Sequence, residues 1–413
     1  MAIRHLSVAA APAAARPEMN VLWTGLREAI ALSLQESVPV AVRANGALIT
    51  GIVGVADAAK LALKASRLLE LAGQCAPDAV VLRWELLLRR AAANPPEDIG
   101  PLLKDLMQHR NVPEVLPPRR LLALSRALAR MPDAERLDIL NAMTRGRIWT
   151  AHRKNLIESL VKQMPVVTES LRRPLIGRLT EEVHVSAPGD AGVTMIVFCG
   201  LGHGPAAPLA QFDMFLAQRG IRAIYLVDRQ GQSYIKGLKS LGGNRSDMFR
   251  HLRRLVAEQP GDRVVTVGFS MSAIAATATA LMLKAEAVLN FAGYISGAGR
   301  FLDAIGDVRN PGYAEEAERL ARRDVDLHAW FARHDHRPLI HMHFAEGIAL
   351  DRAHAAAIAD IEGVSLFPQP GHREHRLPAE MMLRGSFAPA LDQILAALPA
   401  VPERRPARRR AGL

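Results

Sequence analysis

The chain has 413 residues, 49% hydrophobic and 5% aromatic, with a formal net charge of +11. That length has room for two domains, and the apolar content excludes a wholly disordered chain. Much of the excess charge lies in Arg404-Arg405-Pro406-Ala407-Arg408-Arg409-Arg410, where no aromatic residue interleaves with the arginines. Residues 401–413 therefore read as a basic, disordered tail, and no specific nucleic-acid binding is expected.

At the other end, residues 1–17 are rich in alanine, carry Arg4 and Arg16, and lack the continuous apolar core of an export signal. They are expected to be disordered. No later stretch reaches the roughly 20 apolar residues of a membrane span. The two cysteines, Cys75 and Cys199, are far apart and form no disulfide framework, which suits a reducing, cytoplasmic setting.

Residues 18–170 read as helix after helix. Leu61, Leu63, Leu68, Leu69 and Leu71 mark one apolar face, with Asp57 before it as N-cap and Gly73 after it as stop. Further helical patterns run over 80–93, 101–109, 119–130, 133–143 and 152–163. Asn94-Pro95-Pro96, Pro113, Pro117-Pro118, Pro132 and Pro165 punctuate them. The pattern predicts an all-α domain, built as a helical-repeat array or as a compact bundle. Its texture resembles tetratricopeptide-like repeats, although no repeat keeps their full Trp-Leu-Gly-Tyr pattern. Either arrangement presents a face for a protein partner.

From Val183 the pattern changes to alternating strands and helices. Val193 to Cys199, Ile221 to Val227, Val264 to Gly268, Ala287 to Phe291, Pro338 to Phe344 and Val364 to Phe367 are apolar, β-branched runs. Helices are expected around 212–219, 245–258, 273–283 and 389–398. Residues 183–400 are thus predicted to form an α/β domain with a mainly parallel sheet covered on both faces. In such sheets ligands gather beyond the carboxyl ends of the strands.

The central stretch is Val264-Val265-Thr266-Val267-Gly268-Phe269-Ser270-Met271-Ser272-Ala273-Ile274-Ala275-Ala276. A buried strand turns sharply at Gly268 into a helix of small residues, and Ser270 sits at the turn. This is the layout of a nucleophile elbow, Gly-x-Ser-x-Gly, with Ser272 in place of the second glycine. A helix-capping serine after an ordinary strand would look similar.

With these pieces, residues 183–400 resemble the α/β-hydrolase superfamily and, more closely, a bacterial group of hydrolase-like proteins. The resemblance rests on Gly200-Leu201-Gly202-His203-Gly204, Ile224-Tyr225-Leu226-Val227-Asp228, Tyr234-Ile235-Lys236-Gly237 and Gly268-Phe269-Ser270-Met271-Ser272. It implies a serine nucleophile followed in chain order by an acid and a histidine. The implied nucleophile is Ser270. Asp351 is the first choice of acid, although it lies later than the family spacing places it; Glu346 is the second. Pro370-Gly371-His372-Arg373-Glu374-His375 offers His375 as base and His372 in reserve. The oxyanion would be held by the N–H of Met271 and by that of Leu201 or Gly202. His203 is either a substrate contact or merely solvated. The region from Ser296 to Arg337 is expected to form a lid or cap.

His328, His334, Asp335, His336, His341 and His343 lie close in sequence, and His341 and His343 would share one face of a strand. No cysteine joins them, and they read as structural or substrate-lining rather than as a metal site. The glycine turn lacks the Gly-Lys-Ser/Thr ending of a phosphate loop, and no dinucleotide fingerprint is present, so no cofactor is expected. Two functions fit. One is a serine hydrolase or acyltransferase acting on an ester, thioester or related small acyl substrate. The other is a non-catalytic scaffold or binding protein built from a degenerate hydrolase domain and a helical interaction domain.

Overall fold

The computed structural model describes residues 4–7, 40–44, 47–51, 125–126, 128–142 and 147–400, apart from some positions between 311 and 321. The chain divides into two compact units, Met1–Leu160 and Val161–Leu413. Among the described residues no helix is long and apolar enough to cross a membrane.

The first unit corrects an expectation. It holds a three-stranded sheet of β1 (Arg4–Ser7), β2 (Val40–Ala44) and β3 (Ala47–Gly51), in that order. β1 runs parallel to β2 and β2 antiparallel to β3. The stretch expected to be disordered and the one expected to be all helix therefore both contribute strands. The physical reason stands in the sequence: Val40 and Val42 on one side and Ile49 and Thr50 on the other flank Asn45-Gly46. That pair strongly favours a two-residue hairpin, and Ala44 is registered with Ala47 across it. The repeat-like helices expected over 57–109 lie outside the described residues.

Two helices expected further on are present as α1 (Asp133–Ala142) and α2 (Arg147–Gln163). Asp133 and Glu135 place negative charge in the first turn of α1, which suits the helix dipole. Ile139, Leu140, Leu156, Ile157 and Leu160 are buried. Arg153 is buried with them, its Nε donating to the Leu140 carbonyl at 2.8 Å.

The second unit is a seven-stranded sheet. Its strands are β4 (Val183–Val185), β5 (Val193–Phe198), β6 (Arg222–Leu226), β7 (Arg263–Phe269), β8 (Ala287–Phe291), β9 (Leu339–Ala345) and β10 (Val364–Gln369). The spatial order is β10-β9-β8-β7-β5-β6-β4. Every pairing is parallel except that of β4 with β6 at one edge. β5, β6 and β8 are buried along their whole length, which explains their unbroken apolar runs. The chain goes from β5 to β6 through α3 (Leu209–Gln218), then through α4 (Arg245–Ala257) to β7 on the far side of β5. The order therefore reverses at β5 and β7, where an open parallel sheet leaves a crevice beyond its strand ends.

α5 (Ser272–Leu283) follows β7 and packs on β5, β7 and β8. Beyond β8 come α6 (Gly299–Ile305) and α7 (Leu327–Phe331), then α8 (Ala349–Ala356) after β9 and α9 (Leu377–Leu383) after β10. The last helix, α10, is Phe387–Ala397 and starts two residues before the expected Pro389. Amides of a first turn have no partner within the helix, so a proline there removes nothing.

A run of aromatic rings lies under the elbow. Phe269 stacks on Phe291 with centroids 5.7 Å apart, Phe291 on Phe387 at 5.8 Å, and Phe212 tilts against Phe387 at 5.3 Å. The segment before β4 is strapped to this unit. Arg173 forks onto Asp213 at 2.7 and 3.0 Å, and Tyr225 Oη donates to the same carboxylate at 2.7 Å. Both side chains of that ion pair are fully buried.

Candidate active site

Ser270 follows the last residue of β7 and has φ of 52°, a left-handed conformation that costs a non-glycine residue about 1–3 kcal/mol. Its surroundings hold it there. The Ser270 amide donates to the Phe291 carbonyl at 3.1 Å, and the Ser270 carbonyl accepts from Tyr294 at 3.0 Å and Ala273 at 3.1 Å. A Cβ on Gly268 would stand 2.5 Å from Ala273 Cα and 2.9 Å from Ala276 Cβ, so glycine and alanine let α5 lie close on β7. Ser272, where the family pattern has glycine, is buried and bonded. Its Oγ accepts from the Phe269 amide at 3.0 Å and reaches the carbonyls of Phe198 at 2.8 Å and Phe269 at 2.9 Å. The position accepts a hydroxyl because the ends of β5 and β7 supply partners for it.

The Ser270 side chain does not cap the helix: the N-cap of α5 is Met271, with no side-chain cap bond. Instead Ser270 Oγ lies 2.7 Å from His375 Nε2. His375 Nδ1 lies 2.9 Å from Asp351 Oδ1. Asp351 sits in the first turn of α8 and is buried, while His375 is partly exposed in the loop after β10. The late position of Asp351 is thus absorbed by a helix that winds its carboxylate back to the loop of His375.

The reserve residues are placed elsewhere. His372 is buried, with Nδ1 3.1 Å from the Pro370 carbonyl and Nε2 3.5 Å from Ser386 Oγ. Glu346 is exposed; its amide donates to the Gln369 carbonyl and its own carbonyl accepts from Arg352. In the glycine turn, Gly200 N–H donates to the Gly204 carbonyl at 3.0 Å and His203 N–H to the Gly200 carbonyl at 2.9 Å. Leu201, Gly202 and His203 are exposed, and the Met271 residue is buried. The Arg376 guanidinium lies against Gly202, where a Cβ would be 3.0 Å from Nη2.

The histidine-rich stretch disperses. His328 Nε2 faces the Ala357 carbonyl at 2.8 Å, His336 Nε2 the Ala285 carbonyl at 2.7 Å, and His334 stacks on Trp330. His341 and His343 do share a face of β9, in register with Leu289 and Phe291, and both pack against Phe367. Burial, with His341 beside it, pushes His343 down to about 3. Among the described residues no three His, Cys, Asp or Glu side chains converge as a metal ion would need.

Sequence reasoning missed Asp307 and Arg309. Arg309 Nη1 donates to Asp351 Oδ1 at 2.8 Å, and its Nη2 pairs with Asp307 Oδ2 at 2.6 Å. Nothing in the local sequence links them to an acid 42 residues on.

The mostly parallel sheet, with its elbow at the end of a central strand, defines an α/β-hydrolase fold. No protein-family model matches the chain, and no curated protein matches its sequence. Solved structures do. An esterase of the bacterial hormone-sensitive lipase family is 14% identical, over 65% of this chain and 98% of that one, with a TM-score of 0.40. The esterase Est22 is 11% identical, over 63% and 90%, with a TM-score of 0.43. An α/β serine hydrolase without a lid, from Xanthomonas campestris, is 17% identical, over 58% and 100%, with a TM-score of 0.33.

Proposed function

We propose that this chain is a serine hydrolase acting on an ester, thioester or related acyl substrate through Ser270, His375 and Asp351. The observation that carries the reading is the unbroken line from Ser270 Oγ to His375 Nε2 at 2.7 Å and from His375 Nδ1 to Asp351 Oδ1 at 2.9 Å. A serine hydroxyl is a poor nucleophile until a base takes its proton, and this line supplies one. As Oγ attacks the acyl carbon, its proton passes to Nε2, and Asp351 holds the tautomer and steadies the imidazolium. Charge collects on the former carbonyl oxygen. The amide of Met271, with that of Leu201 or Gly202, is the donor set for it. His375 then returns the proton to the leaving group, and water repeats the sequence on the acyl-enzyme; an alcohol in place of water would make the enzyme an acyltransferase.

This chemistry calls for no cofactor. The scaffold alternative rests on Ser272, the late acid and the prominent helical region; bonded Ser272 and helix-borne Asp351 offer a physical reason for the first two. The two separated cysteines favour a cytoplasmic setting for the activity, and residues 18–170 are the candidate surface for a protein partner. A fluorophosphonate probe tests the core of the proposal. Wild type is expected to be labelled and Ser270→Ala is not; unlabelled wild type, or equal labelling of both, would favour the scaffold.

A further inference from the structure

Arg309 takes no part in the steps above, yet its guanidinium is bound to their machinery. Nη1 donates to Asp351 Oδ1 at 2.8 Å, the same oxygen that faces His375 Nδ1, and stands 3.2 Å from that nitrogen. The rest of the side chain is braced. Nε lies 3.0 and 3.1 Å from the two oxygens of Asp307, and the Arg309 amide donates to Asp307 Oδ1 at 3.1 Å. The guanidinium also lies over the ring of Tyr294, 5.1 Å from its centroid.

Asp307 is fixed in turn by a buried histidine. The Ile295 amide donates to His354 Nδ1 at 3.3 Å, which leaves the proton on Nε2, 3.1 Å from Asp307 Oδ2. The His354 ring stacks on Tyr294 at 4.4 Å, and Tyr294 Oη contacts Asp307 Oδ1 at 3.2 Å. Arg309 is therefore clamped between two carboxylates whose side chains are fully buried.

The clamp answers a problem in the site. Asp351 Oδ2 is buried and has no hydrogen-bond partner among the described residues. A buried carboxylate without a countercharge is costly, and one free to rotate loses its alignment with the imidazole. A guanidinium on Oδ1 supplies the missing countercharge and restricts rotation of the carboxylate.

We propose that Arg309 is a positioning residue, which the segment between β8 and β9 delivers to the site and Asp307 braces, so that the Asp351 carboxylate stays aligned with His375. The role rests on the triad reading above. It also gives the segment expected to be a lid a physical link to the triad. Around the Asp351–His375 pair, Arg309 lies 2.8 Å from Asp351 Oδ1 and 3.2 Å from His375 Nδ1, Ser270 faces His375 from the elbow, Asp307 and His354 stand behind Arg309, and Glu374 and Arg376 flank His375 in its own loop.

The test uses the full-length chain with Arg309→Gln, which removes the charge, and Arg309→Lys, which keeps the charge without the fork. Circular dichroism checks the fold. Fluorophosphonate labelling of Ser270 is timed across pH. In Arg309→Gln the plateau rate should fall by up to about 100-fold as the carboxylate loses its register, and the pH profile of labelling should change with it. Arg309→Lys should recover only part of the rate.

An unchanged rate and pH profile of labelling in folded Arg309→Gln would overturn the proposal. If that variant does not fold, a wild-type labelling rate in Arg309→Lys would overturn it. Wild type that is never labelled would instead refute the hydrolase reading, and the role of Arg309 would fall with it.

Discussion

Each member of the candidate triad acts by a different means, so single substitutions should separate them. Asp351→Asn keeps the shape of the side chain but presents a donor where His375 Nδ1–H needs an acceptor. Labelling of Ser270 should fall by up to about 10⁴ with the fold retained. His375→Ala should be as damaging as Ser270→Ala, because the three act as a unit. His372→Ala should label near the wild-type rate, since its nitrogens face Pro370 and Ser386. A dead His372→Ala beside an active His375→Ala would reverse the assignment. A second residue-scale effect is a pH dependence of stability. Folded His343 stays neutral down to about pH 3 because burial opposes its charge. An unfolded histidine protonates near pH 6.5, so the unfolded state binds a proton that the folded state refuses. Stability from this site is full above about pH 6.5 and is lost as pH falls toward 3. Burial works against the Asp307 charge, but bonds from His354 and Arg309 outweigh it and hold its carboxyl well below the usual range, so its contribution is lost only below about pH 4. His343→Phe should therefore flatten the fall in melting temperature between about pH 6.5 and 4 while keeping the stack on Phe367. An unchanged slope would show that His343 does not carry the effect.

The elbow is the element on which the site depends, and its two small positions should respond differently. Ser272→Gly restores the family pattern but removes a buried hydroxyl, which leaves the Phe269 amide without that acceptor. The expected loss is about 1–3 kcal/mol with labelling retained. Gly268→Ala pushes a methyl into the backbone of Ala273 and should displace α5, with a comparable or larger loss of stability and loss of labelling. Urea unfolding alongside probe labelling distinguishes the two. The elbow was legible in the sequence because both its strand and its helix write themselves locally: β-branched residues for a strand buried on both faces, small ones for a helix pressed on it. β5, β6, β8 and β9 were legible for the same reason. Asp351 and His375 could be picked out from chain order and from the loops after β9 and β10. Arg309 could not, because it joins the site through a tertiary contact 42 residues along the chain. β4 has only three residues, partly exposed, and its period is too short to see. β2 and β3 are short strands inside the stretch that reads as helix after helix, and their pairing is not carried by that periodicity.

At the scale of the whole molecule, the question is where the hydrolase unit begins. The change of periodicity places its start at 183, whereas compactness places it at Val161. The residues in between are tied to the sheet. Arg173 is fully buried against Asp213, its Nε donates to the Ile221 carbonyl at 2.5 Å, and the Ile176 amide donates to Asp213 Oδ2 at 2.8 Å. A fragment starting at 183 would leave the Asp213 carboxylate buried in α3 with only the Tyr225 hydroxyl of this network. Removing one partner of a buried ion pair costs about 3–5 kcal/mol. Total stability for a domain is about 5–15 kcal/mol, so the loss is a large share of it. Residues 161–400 are expected to fold alone and to react with the probe, whereas 183–400 should melt far lower or fail to fold. Arg173→Ala within 161–400 should reproduce most of that deficit, which ties it to the ion pair rather than to the length removed. Equal melting temperatures for the two fragments would show that the segment before β4 is only a connection, and that the unit's stability lies wholly in the sheet and its helices.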